Sequence, residues 1–279
     1  PAPLANLGLL RKNQKRLHEA ASLLIKAINL APQVAVLYTN LAGILNRLSR
    51  FNDAVSASQR AIQLDGHLAD AWNNLSIALA RLDRHKEAIE AASRAFELNP
   101  AINWLSGSIV YSKLKICDWS HFEAHVAQLV SDIQDQKASI EPRALLSLID
   151  DPSLEQKCAS IYTQALFSGV QAAPCHYDTR SDKIRVGYIS SDFRTHAVSF
   201  LTAGLIKAHD RSRFEIHGFD LGQPEESDYK QRLTESFDTT HTLFGKSTQE
   251  IINCIHHHRI DVLIDLNGHT KDAVTDVLA

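Results

Sequence analysis

The stretch IRVGYISSDFRTHAVSFL, residues 184–201, combines a short apolar strand, a polar turn and the start of an apolar helix. The first apolar run ends at Ser190, and His196 lies in the turn before the second run begins. A strand that passes at once into a helix is typical of sheets built from alternating strands and helices. The stretch therefore predicts an α/β fold with a histidine in its first βα loop.

The same alternation continues to the end of the chain, which defines a predicted domain at residues 183–279. FEIHGFDL, TTHTLFG and IDVLIDL read as further strands, and helices are expected near 227–236 and in TQEIINCIHHHR. Continuous apolar strands separated by helices indicate a parallel sheet covered on both faces. Ligands of such sheets bind beyond the carboxyl ends of the strands, where His196 and the Asn267-Gly268-His269 sequence fall. Neither loop has a glycine-rich dinucleotide motif, which disfavours a nicotinamide enzyme.

Residues 1–102 contain three units of 34 residues, 1–34, 35–68 and 69–102. Large apolar and small residues recur in the order expected for two antiparallel helices per unit, and the pattern resembles the tetratricopeptide repeat (TPR). Such units stack into a curved solenoid with a concave groove. Asn6, Asn40 and Asn74 recur in the same frame. Their amides suit either the backbone of an extended peptide in the groove or hydrogen bonds between repeats, and spacing alone leaves both open.

Residues 103–182 are predicted to form a helical capping or bridge segment, which ends in a short linker at 171–182. The last apolar face of a solenoid must be covered, and this segment keeps helical periodicity after the repeats decay.

Composition excludes several classes of protein. The net charge of −3 provides no basic field for nucleic acid, and the apolar stretches are too short to span a membrane. The four cysteines have no CxxC spacing, so neither a zinc site nor a redox dithiol is expected, and a reducing, cytoplasmic location fits best. Since the chain begins at Pro1 and contains no methionine, we expect it to be a fragment.

Three stretches, RVGYISSDFRTHAVSFL, HDRSRFEIHGF and IDVLIDLNGHT, together resemble the N-terminal catalytic half of the O-linked N-acetylglucosamine transferase family. This is glycosyltransferase family 41, with its Spindly-like members. CDW at 117–119 and LLSLIDDPSLEQ resemble the bridge of the bacterial members. The predicted fold is therefore an α-helical TPR solenoid followed by a Rossmann-like lobe, the N-terminal half of a GT-B glycosyltransferase.

The resemblance implies an inverting, metal-independent enzyme that moves N-acetylglucosamine from UDP-GlcNAc to Ser or Thr of acceptor proteins. No cofactor beyond the nucleotide sugar is implied. His196 matches the family's histidine with a disputed role as proton acceptor or acceptor-side group, and imidazole is chemically suited to accept a hydroxyl proton. His256, His269 and Asn267 are assigned to the active-site vicinity, whereas His257 and His258 are expected to form only a polar helix end. The asparagines at 6, 40 and 74 match groove residues that hold the acceptor peptide.

The chain departs from the family pattern in two respects. Ala197 stands where animal members usually have a proline, and the sequence stops where the family continues into its donor-binding lobe. The 279-residue chain alone is therefore expected to be inactive, because that lobe stabilises the leaving diphosphate. Two alternatives stay open: a fucosyl-transferring Spindly-like enzyme, and a non-catalytic TPR scaffold that binds peptide partners.

Overall fold

The computed structural model describes residues 1–14, 16–167, 182–268 and 277–278. The chain divides into two compact units, Pro1–Leu166 and Phe167–Ala279. The division falls inside the segment that the sequence assigns to the bridge. His269 and Cys175 lie outside the described residues.

The first unit begins with six helices of similar length that follow the 34-residue repeat. They are α1 Ala2–Asn13, α2 Leu17–Leu30, α3 Ala35–Arg47, α4 Phe51–Leu64, α5 Ala69–Arg81 and α6 His85–Leu98. Each helix packs on the next. The predicted helical repeats are thus confirmed.

Small side chains explain why these helices approach closely. The recurring alanines of the second helix in each repeat are all at most 2% exposed: Ala20, Ala54, Ala88, Ala27, Ala61 and Ala95. Larger side chains in the first helix of the second and third repeats, Leu41 and Leu75, fill the space between helices and are 8% and 7% exposed. Because these side chains are buried with no room for larger groups, a substitution that adds even one methylene should destabilise the packing of the helices.

The helices after the repeats are α7 Leu105–Lys115, α8 Phe122–Gln134, α9 Pro142–Leu145 and α10 Pro152–Phe167. Their own apolar core includes Leu129, Ile133, Ile140 and Leu145. Gly107 is required at its position because an added Cβ would lie 2.5 Å from the side chain of Ile140.

The second unit alternates strands and helices as the sequence predicts. Its elements are β1 Ile184–Ser190, α11 Ala197–Ala208, β2 Phe214–Asp220, α12 Asp228–Thr234, β3 Thr239–Thr242, α13 Thr248–His257 and β4 Val262–Asp265. The strands form one sheet in the order β3-β2-β1-β4. All three pairings are parallel.

Side chains on the two faces of this sheet belong to separate apolar clusters. Val186 and Tyr188 of β1 pack in the cluster that contains Ile206 of α11 and Leu233 of α12. Ile189, which points to the other face, packs in the cluster that contains Ile251 and Ile255 of α13. The sheet is therefore covered on both faces, and its loops carry the polar groups.

Among the described helices, none combines the length and the apolar character that crossing a membrane requires.

Candidate functional site

The strand order reverses between β1 and β4. The chain proceeds from β1 outward to β2 and β3, and then returns to place β4 on the other side of β1. In open parallel sheets, ligands bind at the carboxyl ends of the strands where the order reverses in this way. The two loops at this crevice follow β1 and β4, and they contain His196 and Asn267.

His196 is the N-cap residue of α11. Its backbone is extended, with φ −149° and ψ 154°, and its Nδ1 accepts a hydrogen bond from the backbone N–H of Val198 at 3.3 Å. Its side chain is 37% exposed. The imidazole thus occupies the N-cap position, where Ser, Thr, Asn or Asp is usual. It is held at the carboxyl edge of β1 and remains open to a ligand.

Asp192 lies beside this histidine in the same loop. Its Oδ2 is 3.7 Å from Nδ1 of His196, and it accepts a hydrogen bond from Nδ2 of Asn267 at 3.0 Å. Its Oδ1 accepts a hydrogen bond from Arg194 at 3.2 Å. The carboxylate is 14% exposed, so its negative charge is held close to the imidazole with limited screening by solvent.

Asn267 connects the loops that follow β1 and β4. Its Oδ1 accepts a hydrogen bond from the backbone N–H of Ser191 at 2.7 Å, while its Nδ2 donates to Asp192. The residue is only 5% exposed. Gly268, which follows it, has φ +55°, a conformation that glycine adopts without strain. Asn267 therefore joins the two loops from a buried position.

The loop after β2 is joined to the β1 loop by close contacts. The hydroxyl of Thr195 donates to Oε1 of Glu225 at 2.7 Å, and this hydrogen bond is the largest cause that lowers the pKa of the Glu225 carboxyl. An added Cβ on Gly222 would lie 2.7 Å from the carbonyl oxygen of Ser191. These contacts hold the part of the β1 loop that precedes His196 in place.

A buried ion pair stabilises the end of β2. Nζ of Lys230 lies 2.7 Å from Oδ2 of Asp220, and the Asp220 side chain is 4% exposed. The other carboxylate oxygen accepts the backbone N–H of Gly222 at 2.9 Å. Since the charge is both paired and hydrogen-bonded, its burial is tolerated.

The proton position on His196 decides what the ring can do. When Nδ1 accepts the hydrogen bond from the backbone N–H of Val198, a neutral ring must carry its proton on Nε2. In that tautomer Nε2 can donate a hydrogen bond but cannot accept a proton. A ring that carries its proton on Nδ1 leaves Nε2 free to accept one, and the carboxylate of Asp192 lies on the Nδ1 side to stabilise this tautomer. The site therefore contains both a candidate base and the group that can orient it.

The other predicted residues are not all brought to this edge. Asn267 joins His196, as described, and His269 lies outside the described residues. His256 lies in the last turn of α13, directly before the chain enters the amino end of β4. Because β4 is parallel to β1, this turn is at the edge opposite the His196 loop. The assignment of His256 to the active-site vicinity is corrected accordingly.

The three repeated asparagines differ in their contacts. Nδ2 of Asn74 donates to the backbone carbonyl of Thr39 at 3.1 Å, which is a hydrogen bond between repeats. Within the described residues, the side chains of Asn6 and Asn40 make no hydrogen bond to the protein, and Asn6 is exposed. The structural alternative therefore holds for Asn74, and the amides of Asn6 and Asn40 are available to a ligand.

Asp192 is a candidate site residue that the sequence pattern alone does not identify. It lies four residues before His196 in the same βα loop, which is a spacing that permits contact across a short turn. That signal was present, but an aspartate after a strand is equally typical of an ordinary turn.

Three family profiles match the chain. The profile of Glycosyl transferase family 41 matches residues 116–279. Two tetratricopeptide repeat profiles match residues 3–34 and 33–101.

Curated relatives and a solved structure are similar to the chain over part of their lengths. The UDP-N-acetylglucosamine–peptide N-acetylglucosaminyltransferase of Caenorhabditis elegans is 26% identical over 184 residues, which are 59% of this chain and 16% of that protein. The probable enzyme of the same description named SEC from Arabidopsis thaliana is 24% identical over 180 residues, 59% of this chain and 18% of that protein. A mutant of the Thermobaculum terrenum O-GlcNAc transferase superposes with a TM-score of 0.50 and 18% identity, over 95% of this chain and 45% of that one. The chain thus spans less than a fifth of the length of these curated relatives.

Proposed function

Because the chain belongs to glycosyl transferase family 41, we propose that it is part of a protein O-glycosyltransferase that acts on Ser and Thr hydroxyls. In this proposal the second unit is the Rossmann-like N-terminal lobe of a GT-B enzyme, and UDP-GlcNAc is the donor. The names of the curated relatives support this donor.

The observation that carries the proposal is the position of His196 at the reversal of strand order. The imidazole stands at the carboxyl edge of β1, is partly exposed, and has the carboxylate of Asp192 3.7 Å from its Nδ1. A hydroxyl nucleophile needs a nearby group that accepts its proton, and imidazole is the side chain most often used for this task.

The proposed reaction is a single displacement. The hydroxyl oxygen of the acceptor Ser or Thr forms a bond to C1 of the sugar, while the bond from C1 to the phosphate oxygen breaks and its electron pair leaves with UDP. Nε2 of His196 takes the hydroxyl proton, and Asp192 stabilises the resulting imidazolium. This route inverts the configuration at C1 and requires no metal ion at the reacting atoms.

The repeats are proposed to hold the acceptor polypeptide. Asn6 and Asn40 support this role because their amides make no hydrogen bond within the described part of the chain, and an amide can both donate to and accept from a peptide backbone. Asn74 contributes in this view by fixing the spacing of α3 and α5 through Thr39. A reducing, cytoplasmic location completes the proposal and is supported by the free thiols of Cys117, Cys158 and Cys254.

The test is sugar transfer by the native gene product and its His196→Ala variant. Labelled UDP-GlcNAc and a labelled fucosyl nucleotide are each incubated with a cell extract, and donor binding is measured separately. We expect transfer from UDP-GlcNAc to fall by about 10²–10⁴-fold in the variant, the range for loss of a general base, with donor binding retained.

His257→Ala, an exposed histidine on α13, is the matched control and should keep full activity. Transfer at the normal rate by His196→Ala contradicts the base assignment. Transfer of fucose alone identifies a different donor, and no transfer from either donor favours a scaffold.

A further inference from the structure

Three histidines that are far apart in sequence meet on one face of the sheet in the second unit. His217 lies on β2, His241 lies on β3, and His258 is the C-cap residue of α13. One ring nitrogen from each lies within 4.8 Å of the other two. The cluster is on the face that α13 covers, and it contains none of the residues of the His196 site.

The strand register explains why the rings meet. His241 pairs with Phe219, two residues beyond His217, so both histidines point to the same face of neighbouring strands. Their rings are nearly parallel, at 6° with centroids 5.5 Å apart. The last turn of α13 then places the ring of His258 at 4.1 Å from His241 and 5.6 Å from His217.

Two of the three nitrogen atoms are spaced as metal ligands are. Nδ1 of His217 lies 3.2 Å from Nε2 of His241. Two nitrogens bound to one tetrahedral Zn²⁺ at about 2.0–2.1 Å lie about 3.3 Å apart. The two rings therefore need only small adjustment to share an ion.

Glu215 supplies the outer contact that metal-binding histidines usually have. Its Oε1 lies 3.1 Å from Nε2 of His217. A carboxylate at that nitrogen holds the proton there and leaves the lone pair of Nδ1 directed at His241, as in carboxylate–histidine–zinc arrangements. His217 is 3% exposed, so this orientation is fixed by packing as well.

Internal hydrogen bonds alone do not account for the cluster. A single proton satisfies the contact between His217 and His241, and within the described residues the side chain of His258 makes no hydrogen bond. The ring of His258 can therefore offer a nitrogen lone pair to a metal ion.

We propose that His217, His241 and His258 bind one Zn²⁺ ion, which joins β2, β3 and the end of α13. The ion would hold together the three elements from which its ligands come. It is independent of the proposed transfer reaction, in which no metal is needed at the reacting atoms. The expected polar helix end at His257 and His258 is thus revised for His258, whose ring contacts both other histidines.

The experiment uses the 279-residue chain, purified without a histidine tag and treated with a chelator. Zn²⁺ is added in a calorimetric titration, and Co²⁺ is added in parallel because its absorption spectrum reports tetrahedral nitrogen ligation. We expect one equivalent of Zn²⁺ to bind and to raise the melting temperature of the chain, since an ion that binds only the folded state stabilises it.

Variants separate this site from the neighbouring exposed histidine. His217→Gln and His241→Gln should each weaken Zn²⁺ binding at least about tenfold, and Glu215→Gln should weaken it by about 10–100-fold, as outer-shell substitutions do. His257→Gln should bind as the parent does. Binding that survives His241→Gln but is lost in His257→Gln, or no stoichiometric binding by the parent chain, overturns the proposal.

His241→Gln decides the result if His217→Gln does not fold, because His241 lies on an edge strand and is only partly buried. Its circular dichroism spectrum without metal should match that of the parent chain.

Discussion

Oδ2 of Asp192 lies 3.7 Å from Nδ1 of His196 while it accepts a hydrogen bond from Asn267 at 3.0 Å. The carboxylate is therefore held in place by β4's loop and faces a ring that belongs to β1's loop. In the proposed reaction, this arrangement would make Asp192 a positioning residue for the imidazole.

Replacing Asp192 with Asn should lower kcat of the native gene product at least about tenfold, because the variant no longer stabilises the tautomer that frees Nε2 or the imidazolium that forms. KM for the nucleotide sugar should change less than about twofold, since the binding surfaces are retained. Asp228→Asn, an exposed carboxylate at the start of α12, is the control and should change neither constant. A variant that alters KM alone would assign Asp192 to substrate binding.

Substitution of the three repeated asparagines should affect either the stability of the repeats or peptide binding, depending on the residue. Asn74→Ala removes the hydrogen bond to Thr39 and should destabilise the repeats by about 1 kcal/mol, as measured by chemical denaturation. Asn6→Ala combined with Asn40→Ala should leave stability unchanged and raise the Kd for an acceptor polypeptide by about tenfold, at about 0.5–1.5 kcal/mol per lost hydrogen bond.

Asn52→Ala, on an exposed position of α4, serves as the control for that binding measurement. Equal affinity of the double variant and this control would remove the amides of Asn6 and Asn40 from the peptide-binding surface.

Two glycines of the second unit should respond to alanine with opposite signs. Gly222→Ala places a Cβ 2.7 Å from a backbone oxygen and should destabilise the sheet by about 1–3 kcal/mol. Gly204, exposed in the interior of α11, has no atom within 4 Å of its added Cβ, so Gly204→Ala should stabilise by about 0.5–1 kcal/mol. Hydrogen exchange of peptides from β1 and β2 measures both changes, and changes of the same sign in the two variants would contradict the packing argument.

The start of α13 should weaken in acid. Hydrogen bonds from the backbone and side chain of Ser247, followed by a contact with Lys246, lower the pKa of Glu250 from 4.5 to about 2. Since the pKa of the folded state is the lower one, the contribution is complete above pH 4.5 and is lost as the pH falls towards 2.

Hydrogen exchange at α13 between these pH values should accelerate beyond the intrinsic rate. Ser247→Ala, which removes the capping box, should abolish this extra dependence. An unchanged pH profile in the variant would show that the capping box does not stabilise the helix.

The α/β unit was predictable because its strands and helices are short, regular and separated by polar residues. The stretch at 184–201 becomes β1, the loop and α11, and periodicity alone is sufficient for that assignment. The position of His196 at the carboxyl edge is a product of the same pattern, since every parallel strand ends at that edge.

The long-range contacts of Asn267 and of the histidine cluster were not predictable. Asn267 reaches Ser191 across 76 residues, and His217 reaches His241 across 24, so neither pair has a local spacing that signals contact. Both depend on which strand lies beside β1 and on which face each side chain points. Cysteine spacing was the available signal for zinc, and it gives no information about a site made of imidazoles.

The hydrogen bonds by which Asn267 joins two loops have a consequence for ligand binding. Its hydrogen bonds to Ser191 and Asp192 form without a bound ligand, and the residue is almost completely shielded from water. The connection between the two loops is therefore preorganised, and no binding free energy is diverted to ordering it. In the proposed enzyme, selectivity among nucleophiles should therefore arise from the shape and charge that these loops present before a ligand binds.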